Sequence, residues 1–578
     1  MRQARPPRRS RPARSAGVAV RDLVETVRRS VIGRDATLRG PYGERLITYA
    51  DYTASGRSLS FIEEFIRDRV LPLYANTHTE ASATGLQTTH YREEARQLIR
   101  EAVGADDEYA VIFCGSGSTA AIDKLAQLLE LRLPAGLDEK YGLRERIPEA
   151  ERPVIFIGPY EHHSNELPWR ESIADVVIIP EDAHGQISVA ALEEALAGYR
   201  DRRLRIGSFS AASNVTGILS DTSAVSKLLH RHGARAFWDF AAAAPYVPIR
   251  MAAAAEAPLD YMDAVFLSPH KLIGGPGSPG VLVVRKDLLR NAVPTVPGGG
   301  TVTFVSPVAH RYSEDPEHRE EGGTPAIVES IRAGLAFLVK QQVGPERIRA
   351  LEGGLARRAL DRWRKNPRLQ VLGDLDVDRL SIISFVVSRG QRRLHHNFVI
   401  AVLNDLFGIQ ARGGCSCAGP YGHRLLGIDL AASQAFGCLV LEGYEGIKPG
   451  WARVNFNYFI PEWEFDFILQ AVEMVADQGW RLLPDYAFDP LTGQWTHRQG
   501  RTQAPGLLRH LDYAGGRPST RSGDLEIEAA GYLEEARRIL GRAHTESSPV
   551  PVTNVGPEFE RLRWFWLPHE IEAAAAAG

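Results

Sequence analysis

The chain has 578 residues, a formal net charge of −3 and four cysteines, and 44% of its residues are hydrophobic while 24% are charged. This composition is typical of a globular protein with one large domain and one or two smaller ones; it excludes a disulfide framework and gives no reason to expect nucleic acid as a partner. No apolar run approaches the roughly 18–20 residues of a membrane-spanning helix, so we expect no membrane partner and, with so few cysteines, a cytoplasmic location.

The first residues, MRQARPPRRSRPARSAG, contain six arginines and no acidic residue. Such an Arg-rich, acid-poor start also occurs in transit peptides, but the prolines would interrupt the amphipathic helix that a transit peptide needs. We therefore predict a disordered basic tail over residues 1–20, with a targeting segment as the alternative.

From about Gly40 to Gln478, short apolar runs alternate with amphipathic stretches. Several runs are apolar throughout, as expected of strands covered on both faces of a parallel sheet. The predicted strands are Ala110–Cys114, Val154–Ile157, Val176–Ile179, Leu204–Ser208, Ala236–Asp239, Ala264–Leu267 and Val281–Val284. The helices predicted between them are Thr119–Leu131, Ala190–Gly198 and Ser223–His232. The pattern predicts an α/β fold whose ligands gather at the carboxyl ends of the strands of a mostly parallel sheet.

The Gly-rich segment Pro297–Gly300 ends this block, and a smaller α+β domain is predicted beyond it. Its predicted elements are helices over Ala326–Gln342, Asn397–Phe407 and Pro461–Asp477 and a strand over Ile382–Val387. We place the large domain at residues 21–310, with an N-terminal segment shared with the small domain at 311–480, and a C-terminal extension at 481–578. The aromatic residues of this extension predict that it packs over the small domain, with a docking surface as the alternative.

Two charged side chains stand at predicted strand ends. Lys271 follows the strand over Ala264–Leu267 and enters a Gly-rich turn; a lone lysine there would be an ordinary surface residue. Asp239 ends another apolar run, where a carboxylate needs a partner. A protonated pyridinium nitrogen is a suitable partner, and a helix N-cap is the alternative.

Two further turns carry polar groups. The segment Gly115–Thr119 lies between a strand and a helix, where backbone N–H groups and hydroxyls bind phosphate, although an ordinary capping turn is the alternative. His162 follows the strand over Val154–Ile157 and could stack on a flat ring or relay protons, or be a polar turn residue. No His/Cys cluster has zinc-ligand spacing, so we predict no metal site.

Together these residues resemble the class V aminotransferase superfamily, specifically its cysteine desulfurase and selenocysteine lyase-like branch. They occur in the order phosphate loop, His162, Asn214, Asp239, Lys271. The segments that carry the resemblance are LITYADYTAS (Leu46–Ser55), EHHSNELPW (Glu161–Trp169), SNVTG (Ser213–Gly217), SPHKLIG (Ser268–Gly274), GGGT (Gly298–Thr301) and EGGTP (Glu321–Pro325). The resemblance covers roughly residues 45–477.

The resemblance implies the fold of type I pyridoxal-5′-phosphate (PLP) enzymes, PLP as cofactor and a homodimer with shared sites. It implies that Lys271 forms the Schiff base and moves protons, that His162 stacks over the ring and that Asp239 pairs with the pyridine nitrogen. The other residues implied to contact the cofactor are Ser118, Thr119, Ser268 and His270 at the phosphate, Asn214 near the ring hydroxyl or substrate, and Thr301 at the phosphate of a neighbouring subunit. Ala242 departs from the family, which often has Gln or His there against the ring oxygen.

The segment RGGCSCA (Arg412–Ala418) resembles the loop that carries the desulfurase nucleophile. The resemblance implies that Cys417 takes sulfur from cysteine as a persulfide while alanine is released, and a protein sulfur acceptor is a further candidate partner. Arg453, helped by Arg412, is implied to bind the carboxylate of a small amino acid.

Cys415 departs from the family, which commonly has histidine or serine there; the C-x-C pair could resolve its own persulfide as a disulfide or bind a metal. The alternatives to a desulfurase are another class V PLP enzyme (an aminotransferase, C–S lyase or epimerase) and a catalytically degraded, partner-binding homologue.

Overall fold

A seven-stranded sheet forms the centre of the first half of the chain. The structure, a computed structural model, describes residues 22–77, 81–502, 506, 508, 524–541 and 553–571. The basic tail predicted over residues 1–20 lies outside the described residues. The strands of the large sheet are β4 (Tyr109–Cys114), β5 (Val154–Ile157), β6 (Asp175–Ile178), β7 (Arg205–Ser210), β8 (Arg235–Asp239), β9 (Ala264–Leu267) and β10 (Gly280–Arg285).

The sheet order is β4-β10-β9-β8-β7-β5-β6, in which β10 alone runs antiparallel to its neighbours. The central strands are buried on both faces, which explains their continuous apolar runs. The helices of this part are α4 (Gly117–Leu128), α5 (Ala135–Tyr141), α6 (Leu167–Arg170), α7 (Val189–Gly198) and α8 (Thr222–Arg231). The predicted α/β fold with a mostly parallel sheet is confirmed.

The N-terminal segment pairs with the second half of the chain. Its elements are α1 (Leu23–Ser30), β1 (Thr37–Gly40), β2 (Gly43–Leu46), β3 (Thr48–Tyr49), α2 (Ser60–Phe65) and α3 (Ala83–Ala102). Strand β3 pairs in parallel with β16 (Ile409–Gln410), which belongs to the second half of the chain. The Ala50 carbonyl, just after β3, accepts the Asn455 N–H at 2.9 Å, so this segment contacts the second half of the chain before the chain enters the large sheet.

A five-stranded antiparallel sheet forms the second half. Its strands are β13 (Leu369–Val371), β14 (Ile382–Arg389), β15 (Arg392–Arg393), β17 (Arg412–Gly414) and β18 (Trp451–Asn455). The connecting elements are β11 (Val302–Val305), β12 (His310–Tyr312), α9 (Pro316–Arg319), α10 (Ile327–Val343), α11 (Pro345–Trp363), α12 (His396–Phe407), α13 (Gly419–Leu426), α14 (Leu430–Leu441) and α15 (Glu462–Gln478). The domain boundaries at residues 310 and 480 remain predictions.

The described part of the C-terminal extension packs against the half of the chain that contains the five-stranded sheet, as its aromatic residues predicted, and Phe565 forms a β-bridge with Arg393 of β15. Its described elements are β19 (Tyr486–Phe488), β20 (Trp495–His497), α16 (Leu525–Gly541) and α17 (Pro557–Leu562). The buried His395 ring stacks on Trp564 with centroids 5.3 Å apart and meets Phe565 edge-on at 4.6 Å. The Trp564 indole N–H also donates to the Ile447 carbonyl at 3.0 Å. Within the described ranges, no helix combines the length and apolar character needed to cross a bilayer.

Candidate active site

A cleft opens where the carboxyl ends of the large-sheet strands face the smaller sheet. Polar side chains predominate in its lining, and most of the predicted site residues are among them. Those that line it are Ser118, Thr119, His162, Asn214, Asp239, Ser268, His270, Lys271, Arg412 and Arg453. The fold thus brings together side chains that are up to 335 positions apart in the chain. Two predicted residues, Cys417 and Thr301, do not line the cleft.

Lys271 and Asp239 end two neighbouring strands. Lys271 lies in the short 3₁₀ turn Pro269–Lys271 that follows β9, and Asp239 is the last residue of β8, which pairs in parallel with β9. Burial lowers the pKa of Lys271 to about 8, against the opposing effect of the Asp239 charge. Burial raises the pKa of Asp239, although the Ala241 N–H donates to its Oδ1 at 2.8 Å. The pair can supply a readily deprotonated amine beside a carboxyl group that needs a cationic partner.

The helix-capping alternative for Asp239 is not what the structure shows. Its hydrogen bond to Ala241 begins a series of turns over residues 241–246, and no helix starts there. Ala242, the departure from the family pattern, lines the cleft and brings no polar atom to it.

The start of α4 forms a cradle of backbone N–H groups and hydroxyls in the cleft. The Ser118 N–H donates to the Ser268 hydroxyl at 2.8 Å, and the Thr119 and Ser164 hydroxyls lie 2.6 Å apart. Gly117 has a φ of +57°, and a Cβ at this position would lie 2.8 Å from the Ser268 Oγ. A side chain at this position would be strained and crowded, so glycine lets the first turn of α4 lie close to Ser268.

The two histidines of the cleft are neutral at physiological pH. Burial, assisted by the positive charge of Lys271, lowers the pKa of His162 to about 3 and that of His270 to about 4. The His162 Nδ1 accepts the Ser164 N–H at 3.1 Å, which orients the ring. An uncharged, oriented imidazole is suited to stacking on a flat ring.

Two arginines face these groups from the smaller sheet. Arg412 on β17 and Arg453 on β18 are direct cross-strand partners. The Arg453 guanidinium donates to the Asp51 carboxylate at 2.8 Å and to the Asn214 carbonyl at 3.0 Å, while its Nε is buried without a partner. This wall can bind a carboxylate, because a fixed guanidinium offers parallel N–H groups.

The segment Arg412–Ala418, here called the cysteine loop, is attached to the rim of the cleft by hydrogen bonds. The Asn214 side-chain amide donates to the Ser416 carbonyl at 2.8 Å, and the His163 N–H donates to the Cys417 carbonyl at 2.9 Å. Cys417 is only partly buried, whereas the neighbouring Ser416 lines the cleft with a buried hydroxyl that has no partner. The nucleophile role of Cys417 stays a prediction.

Thr301 lies outside the cleft lining within a single chain. Its buried hydroxyl donates to the Gly298 carbonyl at 2.6 Å within the glycine turn. Its predicted contact with a neighbouring subunit stays a prediction.

The sequence reasoning did not single out several residues of this region, among them Thr53 and Ser416, which line the cleft, and Asp51, which contacts the cleft residue Arg453. Each of these three lies inside a segment quoted for the resemblance. Thr53 and Ser416 place buried, unpartnered hydroxyls in the lining, and Asp51 holds Arg453. The motifs pointed to the right segments. They do not tell which side chains of a segment point into a cleft formed by distant parts of the chain.

Comparisons with known proteins agree with this geometry. Residues 48–432 match the family described as "Aminotransferase class-V". A probable cysteine desulfurase of Halalkalibacterium halodurans is 29% identical over 378 residues, which cover 65% of this chain and 84% of that protein. A cysteine desulfurase of Klebsiella pneumoniae is 32% identical over 382 residues, covering 65% and 85%.

Among solved structures, the apo cysteine desulfurase of Thermococcus onnurineus is similar in fold. The TM-score is 0.60 at 23% identity, covering 78% of this chain and 98% of that one.

Proposed function

Because the chain belongs to the class V aminotransferase family, whose members are PLP-dependent enzymes, we propose that it removes sulfur from L-cysteine through a persulfide on Cys417 and releases alanine. The reaction balances as cysteine plus a thiol giving alanine plus a persulfide. The observation that carries the proposal is the attachment of the cysteine loop to a cleft that also contains Lys271, Asp239 and the paired arginines.

The residues present fit PLP as the cofactor. The glycine-based cradle at α4, with Ser118, Thr119, Ser268 and His270, would hold the phosphate. When bound, PLP would supply an aldehyde that reacts with amines and a ring that accepts electrons from the substrate.

Three further side chains would contact the cofactor ring. Asp239, whose pKa burial raises, would pair with a ring nitrogen, because a cation there removes the cost of burying the carboxylate. The neutral His162 would cover the ring face, and Asn214 would stand at its edge.

Lys271 would act first as an amine and then as a proton carrier. Its pKa of about 8 lets it lose and regain a proton at neutral pH, which an ordinary lysine does poorly. Arg453, with Arg412 beside it, would orient the substrate carboxylate and so hold the amino acid against this amine.

A cytoplasmic homodimer acting on a small amino acid is part of the same proposal. If the dimer shares its sites, Thr301 would contact the phosphate of the PLP bound to the neighbouring subunit. A protein sulfur acceptor would take the persulfide sulfur. Four unpaired cysteines in the described residues are compatible with a reducing compartment.

A second candidate is a PLP reaction that uses no thiol, such as transamination, C–S cleavage or epimerisation of another small amino acid. It is favoured by one observation: Ser416, and not Cys417, lines the cleft.

Replacing Cys417 by serine separates the two. A desulfurase should lose sulfide and alanine production from L-cysteine by at least about 10³-fold, because the nucleophile is gone, and keep its cofactor absorbance. The variant C438S, which changes an exposed cysteine on α14, is the control. Undiminished turnover in Cys417→Ser would contradict the desulfurase proposal and favour the second candidate.

A further inference from the structure

A tight turn holds the two cysteines of the loop that follows β17. The Ala418 N–H donates to the Cys415 carbonyl at 3.1 Å, and the central residues Ser416 and Cys417 have φ values of +52° and +56°. Positive φ at both central positions is the type I′ geometry, which favours glycine and asparagine. A left-handed conformation is unfavourable for other residues, so surrounding contacts must hold this turn.

Three hydrogen bonds supply those contacts. Ser416 and Cys417 are held through their carbonyls by the Asn214 amide and the His163 N–H. The Gly419 N–H, just beyond the turn, donates to the His163 Nε2 at 3.2 Å. The backbone on which both thiols stand is therefore fixed at the rim of the cleft.

The turn brings the two cysteines within reach of each other. They are two residues apart, and two steps of about 3.8 Å bent into a turn put their Cα atoms roughly 5–6 Å apart. Disulfides form between Cα atoms about 4.4–6.8 Å apart. The Cα separation of Cys415 and Cys417 is therefore within the range in which a disulfide can form.

The two thiols are also accessible. Cys415 and Cys417 are both partly exposed. Across the described part of the chain, no three His, Cys, Asp or Glu side chains come together to hold a metal ion. Two thiols alone are too few for a metal site, which favours redox chemistry for the pair.

We propose that Cys415 is a resolving thiol for the persulfide on Cys417. The Cys415 thiolate attacks the Sγ of Cys417, the bond to the outer sulfur breaks, and that sulfur leaves as hydrosulfide. The Cys415 thiol proton is released or taken up by the hydrosulfide. The outer sulfur is reduced, the two cysteines are oxidised to a disulfide, and a dithiol from outside the chain reopens that disulfide by exchange. This step rests on the proposed function of Cys417 and adds a route for sulfur release that needs no protein acceptor.

The test loads the persulfide without the amino-acid reaction. Purified holoenzyme, its Cys415→Ser variant and the control C438S are treated with inorganic polysulfide, desalted, alkylated and digested for mass spectrometry. The wild type and C438S should yield a peptide with a Cys415–Cys417 disulfide and release hydrosulfide. The C415S variant should keep a persulfide on Cys417 that lives at least about tenfold longer, because an adjacent thiol acts at a high effective concentration.

Equal persulfide lifetimes in the wild type and Cys415→Ser, with no bridged peptide in the wild type, would overturn the inference. A parallel incubation with L-cysteine reports on the proposed function. If incubation with L-cysteine yields no alanine but polysulfide still induces the disulfide, the desulfurase proposal is contradicted and the resolving role of Cys415 is supported. Alanine formation from L-cysteine without a polysulfide-induced disulfide would support desulfuration and overturn the resolving role of Cys415. Cofactor absorbance shows that each variant is folded.

Discussion

The two walls of the cleft differ in how their polar atoms are satisfied. On the large-sheet wall, the Ser118 N–H and the Thr119 hydroxyl already have partners within the chain. On the opposite wall, the Ser416 hydroxyl and the Arg453 Nε are buried without a partner, as is the Thr53 hydroxyl of the N-terminal segment.

This difference separates a preformed wall, whose polar groups pair within the chain, from a wall with polar groups that the chain itself leaves unpaired. A buried, unpaired polar group costs about 1–3 kcal/mol, and a bound molecule that pairs it recovers that cost. Under the proposed function, the large-sheet wall holds the cofactor, and the smaller-sheet wall, the recognition wall, orients the substrate. Changes on the first should remove the chemistry, whereas changes on the second should weaken recognition.

The largest effect is expected for Lys271→Ala on the preformed wall. Activity should fall by at least about 10³-fold, because no other amine stands at this strand end. Borohydride followed by digestion should fix a pyridoxyl group on the Lys271 peptide of the wild type and none in the variant. Lys286→Ala, on the exposed lysine that follows β10, is the matched control. If the Lys271 variant fixed as much pyridoxyl group as the wild type, Lys271 would not be the residue that forms the Schiff base.

The pH dependence of cofactor uptake probes the same wall. Only an unprotonated amine can attack an aldehyde, and the pKa of Lys271 is lowered from its ordinary 10.5 to about 8. The uptake rate of the apo protein should rise about 50-fold from pH 6 to pH 8 and level off above it. Stopped-flow visible absorbance measures the rate. A rise that continues to pH 10 would show that burial does not lower this pKa.

On the recognition wall, Arg453→Lys should raise KM by about 10–100-fold and change kcat less. Lysine offers a single ammonium group and cannot contact Asp51, the Asn214 carbonyl and a substrate carboxylate together. Steady-state kinetics and an unchanged cofactor spectrum check this result. The exposed Arg311→Lys is the control, and a loss confined to kcat would place Arg453 in the chemistry instead.

The smallest effect is expected for Ser416→Ala. Removing an unpaired buried hydroxyl should raise the melting temperature slightly, while loss of a substrate contact should raise KM by about 3–10-fold. Ser213→Ala is the matched comparison, since its hydroxyl accepts the N–H groups of Val215 and Thr216 and its loss should lower the melting temperature. If both variants lost stability alike, the distinction between the two walls would fail.

Much of the fold was predictable from local pattern. The strands over Val154–Ile157 and Ala264–Leu267 were placed at their observed bounds, and most other predicted elements differ by one to three residues at an end. A strand buried on both faces must be apolar throughout, so the burial is visible in the sequence. The insertion of β10 between β4 and β9 was not predictable, because apolar runs carry no information about strand order.

The candidate site divides in the same way. Its large-sheet residues lie at or just after the ends of predicted strands. Because the carboxyl ends of parallel strands lie at the same edge of a sheet, the proximity of Lys271 and Asp239 was predictable. The cross-strand pairing of Arg412 with Arg453, and the contact of Asp51 with Arg453, involve segments far apart in the chain.

The sequence by itself determined the alternation of strands and helices, the family motifs and the residue types at the strand ends, because these depend on neighbours along the chain. Only the tertiary structure decided which hydroxyls remain unpaired, that Ser416 and not Cys417 lines the cleft, and that the C-terminal aromatic residues cover His395. These features depend on contacts between residues tens to hundreds of positions apart, and no local pattern records where such residues meet.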